Sequence, residues 1–269
     1  DLKAIANYFS NVAVLAEQAI QIWFVDADET KNQQIQVLNN TGTIAPDSVI
    51  EFGDNDVFYL SKSGIRSLRA RDSSNAAFVG DIGNPIDDLV VAEITANIIS
   101  ARNSTAIHEP KDGRYLLAIG SKVYVFSYFP SSKVSAWSIY EPGFNIDKWA
   151  FDGTQILCRS GNQLFSLGGS NGTTYDNSTV TVQMPFLDAG RPASFKDFTS
   201  LDMTCENTWD VAIATDPQDI TILQDVGTVA NTTYGQGRAT IVGYSTHIAP
   251  RLTCTASGSA KIGNLAIHF

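Results

Sequence analysis

Apolar and polar residues alternate with a period of two along most of this 269-residue chain, which predicts β-strands. The clearest run is Gly113 to Tyr140, GRYLLAIGSKVYVFSYFPSSKVSAWSIY. It divides into strands at Tyr115 to Ile119, Val123 to Tyr128 and Val134 to Ile139. Turns fall at Gly120-Ser121 and Pro130-Ser131-Ser132, where Gly, Pro and Ser favour chain reversal. Val123 and Val125 take one face of the middle strand, Tyr124, Phe126 and Tyr128 the other, so both faces are mostly apolar.

The same layout recurs. Ser48 to Leu68 gives strands at Val49 to Phe52, Val57 to Leu60 and Ile65 to Leu68, with turns at Gly53-Asp54-Asn55 and Lys62-Ser63-Gly64. Lys148 to Leu167 gives Trp149 to Phe151, Ile156 to Cys158 and Leu164 to Leu167. Phe52 to Leu68 lies over Phe151 to Leu167 without a gap, pairing Val57 with Ile156 and Ile65 with Leu164. Near the start, NVAVLA and IQIWFV read as two strands about Glu17-Gln18, and Val12 and Ile20 fall in the same frame as Val57 and Ile65. Asp1 to Ser10 is a short helix or an approach strand, and QIQVL a short edge strand. A unit of three or four short antiparallel strands, recurring about four times, is the pattern of β-propeller blades. A sandwich is the structural alternative.

Asn84 to Ala101 breaks the pattern. Ile86, Leu89, Val90, Ile94 and Ile98 recur at helical spacing, Asn84 and Pro85 suit a helix start, and Asp87 and Asp88 suit its first turn. After Gly168 a Gly/Ser/Thr/Asn linker leads into six or seven alternating segments in about 90 residues. The expected fold is all-β. Residues 1–170 form propeller blades with a helix near 85–100, and residues 171–269 a small sandwich-like or barrel-like domain.

Composition narrows the classes. With 43% hydrophobic and 17% charged residues the chain is ordinary for a folded domain. No apolar run is long enough for a spanning helix. The opening Asp1, followed at once by patterned sequence, predicts a processed chain or a piece of a longer one. A net charge of −10 opposes binding to phosphates. Arg66, Arg69 and Arg71 make the closest basic cluster and read as a solvated or interface edge of a strand. Cys158, Cys205 and Cys254 fit neither a disulfide framework nor a CxxC metal site. They read as buried free thiols, with one disulfide left open.

Convergent chemistry is missing from the sequence. His108 lies in a loop before a strand, and His247 and His268 lie in C-terminal strands, with no ligand spacing. Asp26 with Asp28, Asp54 with Asp56, and Asp87 with Asp88 are turn or helix-start carboxylates. YGQGRA, Tyr234 to Ala239, is a loop between strands and opens no helix. The sequons at Asn39, Asn103, Asn171, Asn177 and Asn231 would mark glycans in a secreted chain and also arise by chance in one rich in Asn and Thr. No catalytic, cofactor-binding or metal residue is assigned, and no cofactor or small-molecule substrate is expected.

Several phrases together resemble one family. LAEQAIQIWFVD, TGTIAPDSVIEFGDNDVFYLSKSGIRSL, the Gly113 to Tyr140 run and the closing RLTCTASGSAKIGNLAIHF look like the tail nozzle proteins (tail tubular protein B, or DNA-stabilisation head-completion proteins) of short-tailed bacteriophages. The resemblance implies a virion component without catalysis. It implies a homohexameric ring that meets adaptor and portal-side proteins and tail fibres or spikes, and passes DNA without binding it specifically. Two other classes stay open: a secreted or surface propeller binding carbohydrate or protein, with Tyr124, Tyr128 and Trp137 exposed on one face, and a glycoside hydrolase or lyase with a carboxylate cleft.

Overall fold

A computed structural model describes residues 1–53, 56–72, 81–111, 113–129, 134–168 and 178–269. The fold is all-β, as the alternation predicts, and divides into two compact units, Asp1–Gly172 and Thr173–Phe269.

In the first unit four antiparallel sheets follow one another along the described chain. Leu2–Tyr8 (β1), Asn11–Ala16 (β2), Ala19–Phe24 (β3) and Gln33–Asn39 (β4) form the first. Ile50–Glu51 (β5), Val57–Ser61 (β6) and Gly64–Ser67 (β7) form the second. The short helix Leu68–Asp72 (α1), a 3-10 turn at Asn84–Ile86, and helices Asp87–Ala96 (α2) and Ile98–Arg102 (α3) come next. Thr105–Glu109 (β8), Arg114–Ile119 (β9), Lys122–Phe129 (β10) and Val134–Tyr140 (β11) form the third sheet. Lys148–Phe151 (β12), Ile156–Ser160 (β13) and Gln163–Ser166 (β14) form the fourth.

The central hairpins of the four sheets share one register. Leu15 opposite Ile20, Leu60 opposite Ile65, Ala118 opposite Val123 and Arg159 opposite Leu164 are the same rung. Each hairpin reverses in two residues, so alternation aims equivalent positions at equivalent faces. The sheets therefore stack in chain order through three cores. Ala13, Leu15, Ile20 and Ile22 of the first sheet meet Val57, Tyr59 and Leu68. Phe58, Leu60 and Ile65 of the second meet Tyr115, Leu117, Ile119, Tyr124 and Phe126, with Val90 and Ile94 of α2. Leu116, Ala118, Val123 and Val125 of the third meet Ile156 and Cys158, with Trp149, Phe165 and Leu167 packed alongside. The middle sheets thus bury both faces. The first strands β1, β5, β8 and β12 run beside one another in succession. The Asn7 N–H donates to Glu51 Oε1 (2.6 Å), and the Trp149 indole N–H donates to the Thr105 carbonyl (3.2 Å).

The second unit has seven described strands: Val180–Gln183 (β15), Lys196–Glu206 (β16), Thr208–Ala214 (β17), Gln224–Ala230 (β18), Ala239–Ser245 (β19), Ala249–Cys254 (β20) and Lys261–His268 (β21). They form sheets ordered β15-β20-β17-β18 and β19-β16-β21, which share one core around Leu201, Met203, Trp209, Val211, Ile213, Ile241 and Leu252. Buried Lys196 holds this unit's first long strand in place. Its Nζ donates to the carbonyls of Arg191 (2.7 Å), Ser194 (2.8 Å) and Thr246 (2.8 Å).

Of the two alternatives for Asp1 to Ser10 the strand is the one formed, because Ala6 and Tyr8 alternate into the first core. Several other local expectations are corrected. The ungapped overlay fails at its first strand. Glu51, not Phe52, faces Val57 as Phe151 faces Ile156, so one extra residue sits in the turn before Val57. His108 lies within a strand, β8. The single helix from Asn84 is three pieces, and Asn84 is not its cap. Asn97 breaks it by leaving helical backbone angles and accepting the Ser100 N–H on its side chain. Leu89 and Ile98 are exposed rather than in the core. The turns containing residues 54–55 and 130–132 and most of the linker lie outside the described residues.

Candidate functional site

One cleft of about 420 Å³ opens on the first unit, lined by Asp81, Ile82, Pro85, Ile86, Phe126, Ser135, Ala136 and Trp137. One wall is β11, the edge strand of the third sheet; the other is the segment leading into α2. Phe126 and Trp137 sit opposite each other on β10 and β11, with ring centres 5.1 Å apart. The aromatic contact continues inward through Phe58, whose ring centre is 5.8 Å from that of Phe126. The Trp137 indole N–H donates to the Ile82 carbonyl at 2.7 Å, which fixes the ring across the cleft.

The far wall is pinned by a buried ion network. Arg66 on β7 donates to Asp87 Oδ1 at 2.7 Å, and its Nε lies 3.7 Å from Asp81 Oδ2. Arg71 of α1 reaches the same Asp81 oxygen at 2.9 Å. The other Asp81 oxygen accepts the N–H groups of Ser67 (2.9 Å) and Ile82 (3.0 Å). With both oxygens engaged, Asp81 lines the cleft as an anchor and has little left to offer a substrate. The backbone closes tightly here. A Cβ on Gly83 would fall 2.1 Å from the Ile65 carbonyl oxygen, so only glycine lets the segment approach β7. Of the expected solvated or interface edge, the solvated alternative fails for Arg66, which is 5% exposed, and Arg69 and Arg71 lie on α1 rather than on a strand.

The other candidates do not converge. Tyr124 is buried, Trp137 half-buried in the cleft and Tyr128 exposed, so the three do not form one exposed face. His108 packs against Phe52, with ring centres 4.8 Å apart, and burial pushes its pKa down. His247 meets Thr246 Oγ1 at 2.8 Å. His268 Nε2 lies 2.8 Å from Asp202 Oδ2, which Arg238 also approaches at 3.4 Å. Burial pushes the Asp202 carboxyl up, but the His268 and Arg238 contacts outweigh it and hold it below the usual range. Asp26 and Asp28 accept neighbouring backbone N–H groups, as turn residues do. Asp87 pairs with Arg66, and Asp54 lies outside the described residues. Tyr234 to Ala239 leads into β19 without opening a helix. The three cysteines are free and buried, and burial pushes the Cys158 thiol up. Among the described residues no three His, Cys, Asp or Glu side chains gather as metal ligands. Asp81 and Asp202 carry no signal in the sequence. Each is an isolated carboxylate whose partners are distant in the chain, so spacing gives no signal for either.

The fold and cleft define an all-β protein of stacked antiparallel sheets with an aromatic-walled groove. No protein-family model and no curated protein matches the chain. Among solved structures, the computationally designed Ika8 protein is 13% identical with a TM-score of 0.35, over 59% of this chain and 42% of that one. The extracellular domain of a one-component system from B. thetaiotaomicron is 13% identical with a TM-score of 0.38, over 74% of this chain and 30% of that one. An exo-β-1,3-galactanase from Phanerochaete chrysosporium is 7% identical with a TM-score of 0.31, over 98% of this chain and 80% of that one. This chain therefore spans under half the length of the first two. At these scores the likenesses carry no argument about fold or function.

Proposed function

We propose that the chain is a non-catalytic structural subunit of the tail nozzle of a short-tailed bacteriophage, its first unit supplying β-propeller blades to a homohexameric ring. The observation that carries this reading is the stack: four meander sheets in one register, packed in chain order, with their first strands side by side. Radial blades have this arrangement. Most of the phrases that bear the family resemblance build this stack. LAEQAIQIWFVD holds the turn and second strand of the β2–β3 hairpin, and Gly113 to Tyr140 holds β9 to β11. The lower tail channel would retain the genome and then conduct it. The net charge of −10 suits a wall that DNA must pass without sticking. Adaptor and portal-side proteins above and fibres or spikes around it would be its partners. Negative-stain imaging of the purified full-length protein tests the reading. Rings of six, formed alone or on an adaptor, support it, and monomers under both conditions overturn it. Neutralising lumen-facing Asp and Glu should slow genome ejection from reconstituted virions.

A second reading, a carbohydrate- or protein-binding module, is favoured by the cleft with Phe126 and Trp137 on its wall. Saturable quenching of tryptophan fluorescence by an oligosaccharide or peptide, lost in Trp137→Ala, would support it. A flat titration across a glycan and peptide panel would reject it.

A further inference from the structure

Among the described residues β11 is the last strand of its sheet, at the edge opposite β8. Beyond the ladder to β10, no hydrogen bond among the described residues engages the backbone of Ser135 to Tyr140. Alternate residues of such a strand turn both N–H and C=O away from the sheet, and a row of these groups is a template for another strand. The other outer edges of the first unit are covered or interrupted. β7 is approached by α2 and by Gly83, whose Cβ would meet the Ile65 carbonyl oxygen. β14 has only four residues, and a register shift at Ile22 and Trp23 interrupts the pairing that carries β4. β11 has none of these protections. It runs for seven residues without a charge or a proline, in unbroken register with β10.

The cleft runs along this edge. Ser135, Ala136 and Trp137 all line it. Successive residues of a strand point to opposite faces, so a space bordered by all three lies against the edge of β11 rather than against one face. Across it stand Ile82, Pro85 and Ile86. An occupant therefore meets unpaired backbone groups on one side and apolar side chains on the other. An extended polypeptide matches both, since it carries donors and acceptors at the strand repeat and side chains at alternate positions. Asp81, the charged residue of the lining, has both oxygens engaged, so the stretch seated in the cleft carries no charge. Just past the strand, Glu141 is exposed and makes no salt bridge among the described residues. It favours a cation on the end of the occupant that lies beside it.

We propose that β11 is a docking edge for an extended segment of a partner protein, which adds to the four-stranded sheet as a fifth strand. The segment runs antiparallel to β11, as every pairing in this sheet does. It is uncharged and apolar where it enters the cleft, with a Lys or Arg at its N-terminal end beside Glu141. The docking edge rests on the cleft being a binding site, as in the second reading above, and not on the nozzle.

An acetylated peptide of lysine followed by alternating valine and threonine, matched in length to β11, tests this on the whole chain. It should quench tryptophan fluorescence saturably and slow amide exchange at every second residue of β11, read by NMR. N-methylating the peptide amides along one edge should weaken binding about tenfold or more, and methylating the other edge should leave it unchanged. Replacing the peptide lysine with glutamate should weaken binding about threefold, and Glu141→Lys should reverse that order. Absent exchange protection, equal effects of methylation on both edges, or an unchanged charge preference in Glu141→Lys would overturn the proposal. So would protection that rises with the concentration of the chain itself and not with peptide, since β11 would then pair with a second copy. If an oligosaccharide quenches Trp137 and the peptide does not, the second reading stands and the docking edge fails; if neither does, both fail.

Discussion

Arg66 offers the sharpest test of how the cleft wall is held. Its side chain is 6% exposed and faces Asp81, also 6% exposed, and Asp87, 23% exposed. Replacing it with Met keeps most of the buried stem and removes only the charge and donors. Removing one partner of a buried ion pair costs roughly 3–5 kcal/mol. Here the lower end applies, because Asp81 keeps Arg71 and two backbone N–H groups, and Asp87 is within reach of water. Arg66→Met should therefore destabilise the first unit by about 3 kcal/mol. With a urea dependence of about 2–3 kcal/mol/M, that moves the midpoint down by about 1 M or more. Tryptophan fluorescence reports it, since Trp23, Trp137 and Trp149 lie in this unit and only Trp209 in the other. The shift should persist in about 1 M salt, because buried pairs are screened little. Adding Asp87→Asn should recover about 1 kcal/mol, as it removes a stranded charge. A midpoint shift below about 0.5 M, or a double variant weaker than the sum of the singles, would show that the network does not hold the wall.

Three further outcomes follow from the same contacts. Gly83→Ala should cost about 2 kcal/mol or more, because its Cβ would sit 2.1 Å from the Ile65 carbonyl oxygen; thermal melting checks it. Lys196→Met should destabilise the second unit by about 3 kcal/mol, because three backbone carbonyls lose one cationic donor; an unchanged urea transition would contradict it. Asp202 has its carboxyl held low in the fold, so its contribution is complete above the ordinary carboxyl pKa of about 3.9 and is lost as pH falls through the folded value. Asp202→Asn should flatten the acid limb of the second unit's stability profile below about pH 4, measured by urea titration at successive pH values.

Much of the first unit was legible because its signals are local. Two-residue turns and strict alternation set the four hairpins, and those features specify register on their own. Strand β8 was missed because its second half, His108-Glu109, is polar and stands just before Pro110. The break at Asn97 was missed because Ile94 and Ile98 keep helical spacing across it. Arg66 looked like a surface charge because its counter-ion Asp81 lies fourteen residues beyond Ser67, whose N–H that carboxylate accepts. The pairing of β15 with β20 and of β16 with β21 could not be read from the chain at all. Nothing local distinguishes a partner sixty residues away from the next strand along. The aromatic cleft was legible only as a list of rings, since which face Trp137 takes depends on its pairing with Phe126.

The sheet connectivity sets the order in which the chain matures. Each sheet of the first unit draws on one continuous stretch, so its strands meet after short loop closures and can order quickly as they leave the ribosome. The second unit cannot do this. Its central strand β16 pairs with β19 over Lys196 to Leu201, but from Ser200 to Glu206 it waits for β21. During synthesis the stack should therefore be in place while the edge of β16 that β21 covers is still open. That interval is when the polypeptide is most prone to pair with a neighbouring nascent chain.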